Sequence, residues 1–117
     1  MALLNFKNLL FPPKPIYFYK CFEVPALEPQ ASIEYDRENT LRHFRKFMPF
    51  TNMQIVNTSD CEMEMILDYS QAKKLIILAG GTKALRNQPF SSWILKNNDD
   101  TLSTEAGQVI VELETIR

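Results

Sequence analysis

Residues 108–116 read QVIVELETI, and this stretch decides the class of fold that the chain can adopt. Val109, Val111 and Leu113 point one way in an extended chain, and Glu112 and Glu114 point the other way. An apolar residue at every second position gathers the apolar side chains on one face of a β-strand, whereas a helix would spread them around its axis. The stretch therefore predicts a long, half-buried strand.

Residues 61–67 (CEMEMIL) show the same alternation, with the sulfur-containing side chains on one face and two glutamates on the other. Five further segments are rich in β-branched and aromatic residues and are bounded by turn residues: 16–24, 30–35, 53–57, 73–78 and 92–96. Strands at a spacing of about ten residues, without crossover helices between them, exclude a parallel α/β fold. We expect an all-β chain, an antiparallel β-sandwich or jelly-roll-like barrel of about seven strands.

Segment 37–47 breaks the strand pattern. Leu41, Phe44 and Phe47 recur every three residues, and Asp36 or Asn39 is a suitable residue to cap a helix. One short helix of one or two turns is predicted here, and a loop is the alternative.

Two stretches that lie forty positions apart, 49–57 (PFTNMQIVN) and 89–97 (PFSSWILKN), resemble each other. Both begin with Pro-Phe and end with Asn, and an aspartate follows each at the same offset. The resemblance predicts two similar half-motifs that face each other across one core, with Phe50 and Phe90 as matching plugs. A chance likeness between two β-hairpins is the alternative.

Composition bounds the function only broadly. The 117 residues are 45% hydrophobic and 23% charged, which suits one folded domain and argues against disorder. A net charge of −1 lacks the positive field that nonspecific nucleic-acid binding requires. Residues 1–52 hold seven basic and five acidic side chains (+2), and residues 53–117 hold six and nine (−3). This weak polarity suits identical subunits that pack head to tail.

Residues 1–15 (MALLNFKNLLFPPKP) are predicted to form an N-terminal arm or linker, and residues 16–117 the sandwich domain. The prolines at the end of the arm favour an extended chain that holds the first eleven residues away from the domain. We expect the arm to dock on a neighbouring subunit, and capping of its own core or contact with a membrane surface are the alternatives. The apolar side chains that such docking would bury are Leu3, Leu4, Phe6, Leu9, Leu10 and Phe11.

The arm is too short and too polar to be a membrane span, and no signal-peptide cleavage site follows it. We therefore expect no membrane as a partner. The expected location is the virion if the protein is viral, and the cytoplasm otherwise.

No motif in the chain carries catalytic chemistry. His43 is the single imidazole and stands among basic residues, without the context of a catalytic triad. The glutamate pairs 62/64 and 112/114 lie on polar strand faces, where solvation or subunit contacts explain them better than glycoside hydrolysis. We expect no catalytic residue, no cofactor and no metal site, and therefore no enzyme. Cys21 and Cys61 are predicted as two buried free thiols, with a single disulfide as the alternative.

Two surfaces remain as candidates for binding. A basic patch, with phenylalanines between its members, could hold an acidic partner, whereas a solvated helix face is the simpler interpretation. Its members are Arg37, Arg42, Arg45 and Lys46. An aromatic platform for a sugar could be formed by aromatic side chains, although Trp93 lies within an apolar alternation that favours the core. The candidates for this platform are Trp93, Tyr17, Tyr19, Tyr35 and Tyr69.

The chain from residue 26 to residue 116 resembles small β-sandwich structural proteins of phage and archaeal virions. The resemblance is carried by residues 24–26 (VPA), 31–36 (ASIEYD), 53–57 (MQIVN), 79–82 (AGGT), 89–90 (PF) and 106–109 (AGQV). It implies a capsid, decoration, collar or tail-associated subunit that forms homo-oligomers and contacts other virion proteins. A carbohydrate- or peptide-binding β-sandwich module is the alternative function.

Overall fold

The computed structural model describes residues 16–116, so the arm residues and Arg117 lie outside the described part of the chain. Eight β-strands and two short 3-10 helices make up the regular structure of this part. The strands are β1 (Tyr17–Glu23), β2 (Ser32–Tyr35), β3 (Asn52–Asn57), β4 (Met63–Leu67), β5 (Lys74–Ile77), β6 (Thr82–Leu85), β7 (Trp93–Asn97) and β8 (Val109–Ile116). The 3-10 helices span Arg42–Phe47 and Gln71–Lys73.

The strands form two antiparallel sheets of four strands each. Sheet A has the order β1-β8-β3-β6, and sheet B has the order β2-β7-β4-β5. Every pairing between neighbouring strands is antiparallel. The prediction of an all-β chain built from antiparallel strands is therefore confirmed.

The number of strands differs from the expected seven because β6 follows directly after the turn at 79–81 and reads TKAL. Only Leu85 of this strand is buried, so β6 lacks the apolar alternation that identifies the other strands. Backbone pairing with β3 holds it in the sheet instead. The short helix of segment 37–47 is a 3-10 helix that covers its second half, and turns occupy residues 37–41.

The core forms where the alternating strands bury their apolar faces. Val109, Val111 and Leu113 of β8 are at most 1% exposed, as the pattern of QVIVELETI predicts. Met63 and Met65 of β4 are fully buried in sheet B and belong to the same hydrophobic cluster. At about 1.5–3 kcal/mol for each large side chain buried, this cluster is the main source of stability.

Aromatic rings connect the two sheets. Phe22 of β1 meets Tyr35 of β2 edge-on, with ring centroids 5.6 Å apart, and Tyr35 stacks on Trp93 of β7 at 4.8 Å. Such tilted and offset pairs stabilise a core beyond their area of burial. Trp93 is 1% exposed, in agreement with its interpretation as a core residue.

The two resembling stretches lie against each other. Phe50 and Phe90 form an antiparallel β-bridge, in which each backbone N–H donates to the other residue's carbonyl at 2.8 and 3.0 Å. Both rings are buried and their centroids are 5.6 Å apart. The predicted pair of plugs is therefore present.

The likeness extends to Asn57 and Asn97, which end β3 and β7 and are both buried. In each case the side-chain oxygen accepts from the backbone N–H two residues later, Ser59 at 3.0 Å and Asp99 at 2.9 Å. The same Asx turn is therefore present after both strands.

The side-chain amide groups of the two asparagines satisfy loop carbonyls. Asn57 Nδ2 donates to Cys61 at 2.8 Å and to Leu78 at 3.1 Å. Asn97 Nδ2 lies 3.2, 3.2 and 2.9 Å from the carbonyl oxygens of Leu27, Glu28 and Leu102, respectively. Because these carbonyls lie outside the strand ladders, the amides supply hydrogen bonds that a ladder would otherwise supply.

Each outer strand of sheet A carries a lysine at a position that faces the core. Lys20 lies between Phe18 and Phe22 on the inward side of β1, and its Nζ is 6.0 Å from the centroid of the Phe22 ring. Lys83 of β6 pairs in register with Ile55, which is fully buried. Both lysines are exposed, so their stems cover apolar surface while the ammonium groups stay in water.

The two cysteines differ in exposure. Cys61 is buried and free, and desolvation, followed by the charge of Asp99, raises the pKa of its thiol. Cys21 is also free but exposed, because it lies on the outward face of β1. The expectation of a buried Cys21 is therefore wrong: Phe18 and Phe22 take the inward positions of this strand, and Cys21 has the opposite parity.

We predict that Asn97→Ala lowers the free energy of unfolding by about 2–4 kcal/mol, because it removes the donor that lies against three loop carbonyls and the acceptor of the partly buried Asp99 N–H. Urea titration followed through the fluorescence of Trp93 measures this loss. Asn98→Ala is the matched control, since Asn98 makes a 3.3 Å side-chain bond to Glu62 at the surface. Its expected cost is below about 0.5 kcal/mol. Equal losses in the two variants would contradict the role given to Asn97.

Candidate functional site

The predicted basic patch is brought together by the 3-10 helix at Arg42–Phe47, but it is partly neutralised. Glu38 lies 2.9 Å from Arg45 Nη1 and 3.9 Å from Arg37 Nε. Lys46 lies over the ring of Phe47, 5.1 Å from its centroid. The sequence reasoning counted the four cations and omitted the carboxylate that folds back onto two of them. Surface pairs of this kind are worth little energy, yet they lower the positive potential that an acidic partner would meet.

His43 is exposed on the same 3-10 helix. Within residues 16–116, no group of three or more His, Cys, Asp and Glu side chains is placed to hold a metal ion. In the same part of the chain, no helix has the length and apolar character needed to cross a membrane.

A groove of about 220 Å³ lies on the outward face of sheet A, and sequence reasoning missed it. Strand register explains how it forms. Glu112 of β8 lies opposite Cys21 of β1 on one side and Gln54 of β3 on the other, and Glu114 lies likewise opposite Tyr19 and Asn52. The residues that line it are Tyr19, Asn52, Met53, Gln54, Ala84, Leu85, Arg86, Glu112 and Glu114.

The two glutamates make the floor of this groove acidic. Both are partly buried, and neither forms an ion pair with another described residue. Asn52 holds Glu114 in place by donating from Nδ2 to Oε1 at 2.9 Å, and its own Oδ1 accepts from the Asn87 backbone at 2.9 Å. Desolvation and the adjacent Glu112 carboxylate raise the pKa of Tyr19. The arrangement suits a positively charged or hydrogen-bond-donating group.

An apolar corner, defined here as Tyr17 and Ile116, adjoins the groove. The two residues lie directly opposite each other in the β1·β8 pair, and they are 65% and 52% exposed. Tyr19, which is 50% exposed, connects the corner to the groove. Cross-strand neighbours on one face have Cβ atoms about 5 Å apart, so these side chains form one surface. The corner begins next to Ile16, the residue that follows the predicted arm.

A second groove, of about 410 Å³, surrounds Tyr69 in the turn after β4. Asp68 and Tyr69 both have positive φ angles, 50° and 58°, which turns the Tyr69 ring outward so that it is 58% exposed. Asp68 Oδ1 secures this turn by accepting from the backbone of Ser91 and Ser92 at 2.8 and 3.1 Å. Arg37, a member of the predicted basic patch, also lines the groove.

The phenol of Tyr69 donates a hydrogen bond to Glu34 of β2. This bond, with smaller contributions from desolvation and from the Glu34 charge, raises the pKa of Tyr69 to about 12. The ring is thereby fixed over the groove with its polar atom already satisfied.

Comparisons with known proteins identify no family for this chain. No protein-family model matches it, and no curated protein matches its sequence.

We predict that Tyr69 ionises only near pH 12 and that Glu34→Gln lowers its pKa toward the ordinary 10.0. The folded-state pKa lies above the unfolded value, so the stabilisation from this bond is present below about pH 10 and is lost as the pH rises toward 12. NMR titration of tyrosine labelled at the ring Cζ measures the shift, and Tyr69→Phe assigns the signal. A Tyr69 pKa that does not respond to Glu34→Gln would contradict this interpretation.

Proposed function

We propose that the protein is a non-enzymatic structural subunit that assembles with copies of itself. The observation that carries this proposal is the apolar corner of Tyr17 and Ile116, which is exposed on sheet A next to Ile16, the residue that follows the predicted apolar arm. Large apolar side chains grouped on a surface commonly mark an interaction site. The arm supplies the complementary apolar surface.

We further propose that the two sheets pack face to face as a jelly roll. Four of the strand pairs are nested, β1 with β8, β2 with β7, β3 with β6, and β4 with β5. This nesting results when one long antiparallel hairpin is rolled into two sheets. The single hydrophobic cluster, with members from both sheets, supports the same arrangement.

The resemblance to small structural proteins of virions supports the proposal that this assembly belongs to a virus particle. Jelly rolls are frequent among capsid domains, so the proposed fold fits such a role. The proposed partners are other copies of the chain and further virion proteins. A capsid, decoration, collar or tail-associated position agrees equally well with the fold.

We predict that deletion of residues 1–15 leaves a folded domain that no longer assembles, because the arm's apolar side chains lose their place on a neighbour. Light scattering on the full chain and on the shortened chain gives the two masses, and the monomer mass of the full chain is 13.6 kDa. Circular dichroism checks that the shortened chain keeps its strands. A full chain that is monomeric at high concentration, or an unchanged oligomer after deletion, would contradict the proposal.

A second candidate function is carbohydrate binding at the Tyr69 groove. A half-exposed aromatic ring beside carboxylates, hydroxyls and Arg37 offers both a stacking surface and hydrogen-bonding groups for a sugar. Of the aromatic residues that the sequence suggested for such a platform, Trp93 is buried, whereas Tyr69 is 58% exposed.

We predict that, if the groove binds a sugar, Tyr69→Ala abolishes binding on a glycan array whereas Tyr69→Phe retains most of it, because the ring provides the stacking. Leu78→Ala is the matched control, since Leu78 is 65% exposed and does not line the groove. The absence of any glycan that distinguishes wild type from Tyr69→Ala would contradict this candidate.

A further inference from the structure

We propose that the groove and the apolar corner of sheet A receive the N-terminal arm of a second copy of this chain. The inference rests on the proposed function, because it names the surface through which copies assemble. Three observations carry it: the apolar match between corner and arm, the opposite charges of groove and arm, and the prolines at the end of the arm.

The apolar match lies at the corner. Tyr17 and Ile116 present exposed apolar surface in one row, and Tyr19 extends it to the edge of the groove. The sequence of the arm carries six large apolar side chains within residues 3–11. Burial of such side chains against exposed Tyr and Ile would remove apolar surface from water on both partners.

The charges of the two surfaces are complementary. The arm contains Lys7 and Lys14 and no acidic residue. The groove contains Glu112 and Glu114, which are partly buried and form no ion pair within residues 16–116. A cation from outside therefore meets two carboxylates that no cation of the described residues pairs with, one of them already oriented by Asn52. Arg86 at the β6 side of the groove would repel the lysines and so directs them toward β8.

The occupant is a second copy because the arm of the same chain would have to turn back on itself. Tyr19 lies three residues into the chain after Ile16, about 10 Å along β1 at the rise of an extended strand. The most direct way for the same chain to reach the groove is to reverse direction within residues 12–15 (PPKP). Proline fixes its own φ and also restricts the preceding residue to extended conformations, so this sequence opposes such a reversal. We therefore take a neighbour's arm as the occupant, and the crosslinking below distinguishes it from the arm of the same chain.

Charge reversal in the full-length chain tests the inference. Glu112→Lys with Glu114→Lys reverses the groove, and Lys7→Glu with Lys14→Glu reverses the arm. We expect either double variant to raise the dissociation constant of the oligomer about tenfold or more in sedimentation experiments, since each places like charges together. The chain that carries all four changes should recover most of the lost affinity, because it restores the pairs with opposite sign.

Glu28→Lys with Glu105→Lys is the matched control. Both glutamates are exposed outside the groove, and the change in net charge equals that of the reversed groove. The control should assemble like the wild type. The chain that carries all four changes should recover its affinity for other copies. The reversed arm combined with the control should not recover it. This pair of results would identify the groove as the site.

Crosslinking provides a second test that does not depend on reversed charges. Cys21 is an exposed thiol in register with Glu112, so it lies beside the proposed seat of the arm. A full chain with Asn8→Cys should be joined to a second copy through Cys21 by a short bismaleimide, and adding Cys21→Ser should abolish this link between arm and groove. A chain with both Asn8→Cys and Cys21→Ser is then mixed with wild-type chains that carry a different mass tag. A crosslinked product that contains both masses shows that the link connects two copies.

The outcomes separate this inference from the proposed function. Oligomers that keep their affinity after groove reversal and show no link through Cys21 would overturn the docking surface and leave assembly itself intact. A link confined to single chains would overturn the second copy as the occupant. A monomeric wild-type chain would overturn the proposed function and, with it, the inference.

Discussion

The buried side chains of Asn57 and Asn97 are the interactions on which the rest of the structure depends. Each stands at the end of a strand, where the chain leaves a sheet. Irregular backbone can be buried only if its polar groups are satisfied, and the two amides provide donors and acceptors to the loops around these strand ends. Beyond the opposite ends of the same two strands, Phe50 and Phe90 meet in an antiparallel bridge.

The strands with a clear alternation could be predicted from the sequence, and the strand without one could not. In β4 and β8 every second side chain is buried, and the sequence of each strand has an apolar residue at every second position. The β6 segment buries only Leu85 and is held by pairing with β3. Backbone hydrogen bonds to a distant strand leave no local pattern in the side chains, which is why the stretch looked like the end of a turn.

The candidate site was harder to predict because register between distant strands creates it. Glu112 and Glu114 were recognised as the polar face of one strand, and solvation was an adequate explanation for them alone. Their partners Tyr19 and Asn52 lie far away in the chain, and only the pairing of β8 with β1 and β3 brings them together. The basic patch shows the opposite case, since its four cations were visible in the sequence but the return of Glu38 onto Arg45 was not.

The groove and the Tyr69 turn also differ in how they are held. The groove is built on hydrogen-bonded strands, so its side chains are fixed by the sheet. Tyr69 stands on a turn with two consecutive positive φ angles, and Asp68 and Glu34 must both bond to keep the ring outward. Residues held in sparsely populated backbone conformations persist only when their surroundings determine them. The sheet therefore holds the side chains of the groove more firmly than the turn holds Tyr69.

Lys20 and Lys83 limit the ways in which sheet A can grow. A strand from another molecule that paired with β1 or β6 would have to cover a lysine that already points toward the core side, and an ammonium group resists such enclosure. The open backbone of the outer strands is therefore guarded against endless addition of strands, the route by which β-proteins form fibrils.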